Sequence, residues 1–330
     1  MSEPLVTIII PVFNREALVH YSIESCLQQT YPHLEILCID DGSSDGSVAV
    51  VEAYAAADER VKLLINERTK GVAGARNTGL LQAAGKYIAF LDSDDRYKPF
   101  HIEKMVALLE SNEDIDWVYA DFERRQGDTV KVDSVFRNNE LVRAGKDTVT
   151  RGELHVREGD RQAEWHLLYE RIAGLHTSVV RRAVIERCLF DESLVMFEDW
   201  YFRFEALKAG FKLAYLFAVH HEYYIHDANL CSSDVGGDIA KKDRTVQQFR
   251  QLLEKVFARS DLTQGERKAL HNYGAQKLFW DYGYWYEKAG DLQRADAVMW
   301  QATVLASFAP LYLSRYLYFW CRKQLRLLRG

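Results

Sequence analysis

Proline and cysteine are scarce: 330 residues hold five of each. The cysteines, at positions 26, 38, 188, 231 and 321, are odd in number and widely spread. None stands in CxxC spacing, so neither a disulfide framework nor a zinc site is indicated, and a reducing cytoplasm is the expected home. Also missing is any run of about 18 uninterrupted apolar residues, which a spanning helix requires. The opening Met1-Ser2-Glu3-Pro4 has no positive charge, and the apolar run Val6 to Phe13 is short and broken by Pro11. A signal peptide is therefore not expected. Basic excess is absent as well: 42 Lys and Arg against 48 Asp and Glu leave a net charge of -6. That balance argues against wholesale nucleic-acid binding, for which cations must displace phosphate counterions. Apolar residues are not in deficit. At 48% hydrophobic and 27% charged, the chain has a globular composition and enough length to bury a large core.

The first 122 residues alternate strand-like and helix-like segments. Val6 to Ile10 and Glu35 to Ile39 are short β-branched runs, as strands buried on both faces require. Val61 to Ile65, Tyr87 to Leu91 and Trp117 to Ala120 read as further strands. Helical spacing marks Glu16 to Gln29, Gly46 to Ala57 and Gly71 to Ala84, and Pro99 suits the first position of another helix. This order predicts a mostly parallel α/β sheet flanked by helices. From Glu123 to Glu164 eighteen residues are charged, nine of each sign, which reads as surface excursions. Helices are expected again over Thr177 to Arg187 and Glu198 to Ala209, with a strand at Lys212 to Leu216. Beyond about Gly237 the chain reads as wholly helical and aromatic. Trp285 to Ala306, with Gly290-Asp291 at its middle, reads as one helical hairpin.

In such sheets ligands collect at the carboxyl ends of the strands. Pro11-Val12-Phe13-Asn14 follows the first strand, Asp40 to Asp45 the second, and Asp92-Ser93-Asp94-Asp95 the fourth. Asp92 and Asp94 are two apart, so their side chains share one side of an extended segment and suit Mg²⁺ or Mn²⁺. Aspartate is also common in turns, and for each of Phe13, Asp40, Asp41 and Arg76 a plain structural role competes with ligand binding. Joint placement separates the readings.

Four ordered motifs, Thr7 to Asn14, Ile39 to Asp45, Gly74-Ala75-Arg76-Asn77-Thr78-Gly79 and Phe90 to Asp95, resemble family 2 glycosyltransferases of the GT-A fold. The resemblance covers about residues 5 to 232. It implies a nucleotide-sugar donor, most often a UDP-sugar, with Pro11, Phe13, Asp40, Asp41, Arg76, Asp92, Ser93 and Asp94 around it. It also implies a Mn²⁺ or Mg²⁺ cofactor on Asp92 and Asp94, the DxD motif, with His226 a further ligand or a diphosphate contact. Phe197-Glu198-Asp199-Trp200 matches the family's Glu-Asp signature. Asp199 is then the general base of an inverting transfer and Glu198 an orienting neighbour; acids at a helix start are also ordinary dipole partners.

The expected division is a catalytic domain at 1–236, split into a nucleotide half (1–95) and an acceptor half (96–236), and a helical region at 237–330. By family analogy the acceptor is a glycan or lipid-linked sugar in surface polysaccharide or lipopolysaccharide assembly. A rival reading is a non-catalytic nucleotide-sugar module, or a scaffold whose helical tail is the working part. Retention of Asp92, Asp94 and Asp199 together opposes it. After Asp296 five cations and no acid remain, and Arg315, Arg322, Arg326 and Arg329 share one helical face beside Leu and Trp. The segment 311–329 therefore reads either as a helix lying on the inner face of a membrane or as one packed on the protein with its arginines in solvent.

Overall fold

In the first strand, β1 (Val6–Val12), Val6, Ile8, Ile10 and Val12 enter one apolar core and Ile9 enters another. The same alternation divides β2 (Leu34–Asp40): Ile36 and Cys38 face the first core, Leu37 and Ile39 the second. Continuous apolar runs thus form a sheet covered on both faces. The computed structural model of the protein describes residues 3–137, 148–157, 162–169, 174–226 and 238–327. Among them the remaining strands are β3 (Val61–Ile65), β4 (Tyr87–Phe90), β5 (Arg96–Tyr97), β6 (Trp117–Gln126), β7 (Thr129–Val132), β8 (Thr148–Arg151), β9 (Leu154–Arg157), β10 (Ser178–Arg181) and β11 (Leu213–Tyr224).

One sheet holds them, in the order β3-β2-β1-β4-β10-β6-β11-β9-β8, with β5 on β11 and β7 on β6. Strands β3, β2, β1 and β4 are parallel, as are β6 and β11. Strand β10 runs antiparallel between β4 and β6. It replaces the first part of the helix expected from Thr177: Thr177 ends a 3-10 turn (Leu175–Thr177), and only Arg182–Arg187 is α-helical. Its Val179 and Val180 enter opposite cores, which a strand permits and a helix at that spacing does not. The polar stretch after Glu123 also departs from expectation. It extends β6, adds β7, and forms the β8–β9 hairpin, because backbone pairing tolerates polar side chains on an open face. The helix after Pro99 begins two residues later, at His101.

Contacts divide the chain into two units, residues 1–162 with 171–229 and residues 163–170 with 230–330. The helix Gln162–Tyr169 thus groups mainly with the second unit. That unit continues as helices Ile239–Phe257, Gln264–Gln276, Tyr284–Lys288, Leu292–Leu305 and Pro310–Leu327, with a π-helical stretch at Lys277–Gly283. A reciprocal cap opens the second of these: Glu266 N–H donates to Thr263, and Thr263 N–H donates to Glu266.

Candidate active site

The strand-end loops are tied to each other before any ligand is considered. Asn14 adopts φ +50°, which its short side chain tolerates, and its Oδ1 accepts from Ser44 N–H at 2.8 Å. Arg15 N–H donates to Ser47 Oγ at 2.7 Å, and Glu16 Oε2 accepts from Gly46 N–H at 3.0 Å. Asp40 turns back to accept from the N–H groups of Gly42 and Ser43. Asp41 accepts from Asn66 Nδ2 at 2.6 Å and from Gly71 N–H at 2.8 Å. Both aspartates are nearly buried. Phe13 is left 42% exposed, with Lys70 Nζ 4.6 Å from its ring centroid, and Pro11 lies within β1.

Arg76 sits on the helix Val72–Gln82, which approaches the sheet through Gly79. A Cβ there would stand 2.8 Å from Ile9 and 2.9 Å from Ile39. This close approach belongs to the same helix that buries Arg76, which is only 5% exposed. Its Nη2 donates to Asp92 Oδ1 at 2.9 Å and its Nη1 to Glu198 Oε1 at 2.8 Å. The guanidinium that the resemblance places around the donor is therefore committed to two carboxylates. Burial pushes the guanidinium down, but Asp92, Glu198 and Asp199 together hold it above its ordinary value.

Glu198 and Asp199 open the helix Glu198–Lys208 behind Phe197, whose φ of +66° is a left-handed conformation unfavourable for a Phe. Burial, then the neighbouring Asp199, raises Glu198 to about 7 even though Arg76 opposes the shift. Asp199 is also raised, chiefly by burial. One Asp199 oxygen accepts from Trp200 N–H at 2.7 Å.

Of the acidic run after β4, Ser93 is buried and Asp94 mostly so. Asp94 Oδ2 meets His226 Nε2 at 3.0 Å and Arg15 Nη2 at 3.2 Å. Burial and Asp92 raise the Asp94 carboxyl, against Arg15 and His226. A carboxylate with an imidazole is a donor set that suits Mn²⁺ or a related divalent ion, so the residues fit the implied metal. Asp92, Asp95 and His176 form a second close group, their ligand atoms within 4.8 Å of one another. Sequence reasoning missed Arg15, Asp95 and His176 as neighbours of the site. Arg15 directly follows a quoted motif, and Asp95 ends another; His176 had no local signal. His220 and His221 lie within β11, where His221 Nε2 is 3.4 Å from the buried Asp95.

The parallel half of the sheet thus ends in buried carboxylates, with a second acidic pair facing them through Arg76. Residues 7–166 match the model described as Glycosyl transferase family 2. An Escherichia coli relative, UDP-Glc:alpha-D-GlcNAc-diphosphoundecaprenol beta-1,3-glucosyltransferase WfgD, is 44% identical over 123 residues, 37% of this chain and 47% of the relative. The uncharacterized glycosyltransferase EpsJ of Bacillus subtilis is 32% identical over 210 residues, 62% of this chain and 56% of its own. The chain spans about half the length of the curated relatives it matches. Among solved structures, Staphylococcus aureus TarS 1-349 with UDP-GlcNAc aligns at TM-score 0.62 and 18% identity, covering 94% of this chain and 89% of TarS 1-349. The mannosyltransferase PcManGT of Pyrobaculum calidifontis, with GDP-Man and Mn²⁺, aligns at 0.61 and 20% identity, covering 98% and 88%. These likenesses establish the GT-A fold. Over residues 7–166, just under half of its length, the chain is similar to glycosyltransferase family 2.

Proposed function

We propose that this protein is an inverting, metal-dependent glycosyltransferase that moves a sugar from a nucleotide-sugar, of the UDP class, to an acceptor hydroxyl. The observation that carries this reading is the buried Arg76 bridge between Asp92 and Glu198. It ties the donor-side acidic run to the acid pair holding the proposed base, a pair that lies 122 residues from Arg76 in the chain. A module that only bound nucleotide would have no use for the second half of that link.

In this reading Asp199, with one oxygen fixed by Trp200 N–H, takes the proton of the acceptor hydroxyl through its other oxygen. The acceptor oxygen attacks the anomeric carbon from the opposite side, forming the new C–O bond. The bond to the diphosphate breaks, and its electron pair leaves with the nucleotide. Asp94 and His226, with Asp92, are the residues that would hold the divalent ion, whose charge offsets that of the departing diphosphate. Phe13 offers an exposed ring for the base, and Asp40 and Asp41 shape the loop beneath it. The DNA- or RNA-binding alternative has no basic surface excess to recommend it. For the acceptor, the name of the E. coli relative supports a lipid-linked diphospho-sugar in polysaccharide assembly. No helix among the described residues is long and apolar enough to cross a membrane. A peripheral position at the membrane face fits such an acceptor.

The test is a donor screen with purified protein, reading nucleotide release and transfer. Expected is turnover of a UDP-sugar that collapses in EDTA and returns with Mn²⁺ or Mg²⁺, and loss of metal-dependent UDP affinity in Asp94→Ala. Full activity in excess chelator would sink the metal assignment. Nucleotide-sugar binding without any turnover would favour the non-catalytic module.

A further inference from the structure

Arg96 directly follows the acidic run and opens β5, where it pairs with Glu222 of β11. Its Cζ lies 3.9 Å from the Tyr21 ring centroid and 4.6 Å from that of Tyr224. Tyr21, on the helix Val19–Leu27, is 40% exposed. Yet Arg96 forms no ion pair or side-chain hydrogen bond among the described residues, and its Nε is buried without a partner. The contrast with its neighbours is sharp: Arg15 and Arg76 are each bound to carboxylates. Neither neighbouring acid, Asp95 in the chain or Glu222 across the strand pair, forms an ion pair with Arg96, although Asp95 Oδ2 is buried without a hydrogen bond. Glu222 accepts from Lys98 and from the Tyr224 hydroxyl, and Asp95 Oδ1 accepts from Tyr224 N–H.

A guanidinium flanked by aromatic rings has its plane fixed by cation–π contact, while its N–H groups project along the edge. That is a pre-organised donor for a planar or tetrahedral oxyanion. Place matters too. Two residues beyond Tyr224 on the same chain, His226 reaches Asp94, so the stack adjoins the pair assigned above to the metal. We propose that Arg96, held by Tyr21 and Tyr224, is an anion subsite for a phosphate-bearing ligand beside the Asp94–His226 pair. The phosphate belongs either to the donor diphosphate or to a diphosphate on the acceptor; only this choice of source rests on the transferase reading.

Titration calorimetry with inorganic pyrophosphate, at fixed Mg²⁺, tests the subsite without any turnover. Arg96→Gln should weaken pyrophosphate binding about tenfold or more, and Arg96→Lys, which keeps charge but loses the planar fork, by less. UDP weakened in parallel assigns the phosphate to the donor. UDP affinity unchanged, with KM raised for a phosphate-bearing acceptor only, assigns it to the acceptor. A folded Arg96→Gln that binds pyrophosphate like the wild type overturns the proposal. Should that variant fail to fold, Tyr21→Leu on the exposed helix face replaces it: weaker binding is expected, and unchanged affinity overturns. A chain that binds pyrophosphate through Arg96 but transfers no sugar refutes the transferase reading alone.

Discussion

The carboxyl edge of the sheet and the terminal helices invert each other's surface logic. At the edge, charge is buried: Asp40, Asp41, Arg76, Asp95 and Glu198 are each less than 10% exposed. In the terminal helices aromatic and aliphatic side chains face solvent instead, with Trp300, Phe308, Leu311, Leu317, Tyr318 and Trp320 all more than 40% exposed. Buried charge is expensive unless paired, and a fold spends stability on it where chemistry needs a tuned group. Exposed apolar surface is tolerated where something covers it. The first pattern points to a reaction, the second to a surface.

Breaking the edge should give the largest effect. Arg76→Met leaves Asp92 and Glu198 facing each other without their cation, and should lower unfolding free energy by about 3–5 kcal/mol in urea titrations. Arg76→Lys cannot span both partners in a fork and should fall between. A variant as stable as wild type would show the bridge to be incidental. Next comes Asp199→Asn, which keeps shape but cannot take a proton. Turnover should fall about 10²-fold or more, with UDP affinity nearly unchanged. Normal turnover would move the base elsewhere, with Glu198 the next candidate.

How legible was each region? The edge was written in local clusters, because a strand-end loop carries its ligand-facing residues within a few positions, as Asp92 to Asp95 do. The parallel half of the sheet was equally plain, since its runs are apolar on both faces. What stayed hidden needed distance. The partners of Arg76 lie 16 and 122 residues away, and no period announces them. Strand β10 was masked because Val179-Val180 followed by Arg-Arg-Ala is also acceptable helix. Strands β7 to β9 were masked by charge, which says where side chains point but not whether the backbone pairs. In the terminal helices the period gave the elements but not what their exposed faces meet.

A pH series sharpens the edge further. Glu198 is raised to about 7 in the folded protein, so between its ordinary range near 4.5 and about 7 the folded state binds more protons than the unfolded. Stability must then fall as pH rises through that window. Glu198→Gln cannot titrate, so its stability relative to wild type should grow from pH 4.5 to 7. A flat difference would place the Glu198 carboxyl at an ordinary value. Because Asp199 is also raised, the acid limb of turnover should sit above the usual aspartate range.

The smallest expected effect tests the other side of the comparison. In the helix Pro310–Leu327, Phe319 is buried, and Tyr316 and Lys323 both reach Asp296, so one face packs within its own unit. Arg322 lies 3.4 Å from Glu287. Two of the five tail cations are therefore engaged by acids. Arg315 stays exposed, near Leu311, Leu317 and Tyr318. The side chains of Arg326 and Leu327, and all of Leu328 and Arg329, lie outside the described residues. Both readings of the tail thus survive in part: it packs, and it still presents an apolar surface with free positive charge. If that surface meets a membrane, the full chain should co-sediment with anionic vesicles at low salt and release as salt rises. Replacing Leu311, Leu317 and Trp320 by Gln should cut the bound fraction several-fold while leaving the melting temperature and turnover of a soluble acceptor unchanged, because these residues face solvent. Equal sedimentation of the two proteins would assign the helix to packing alone.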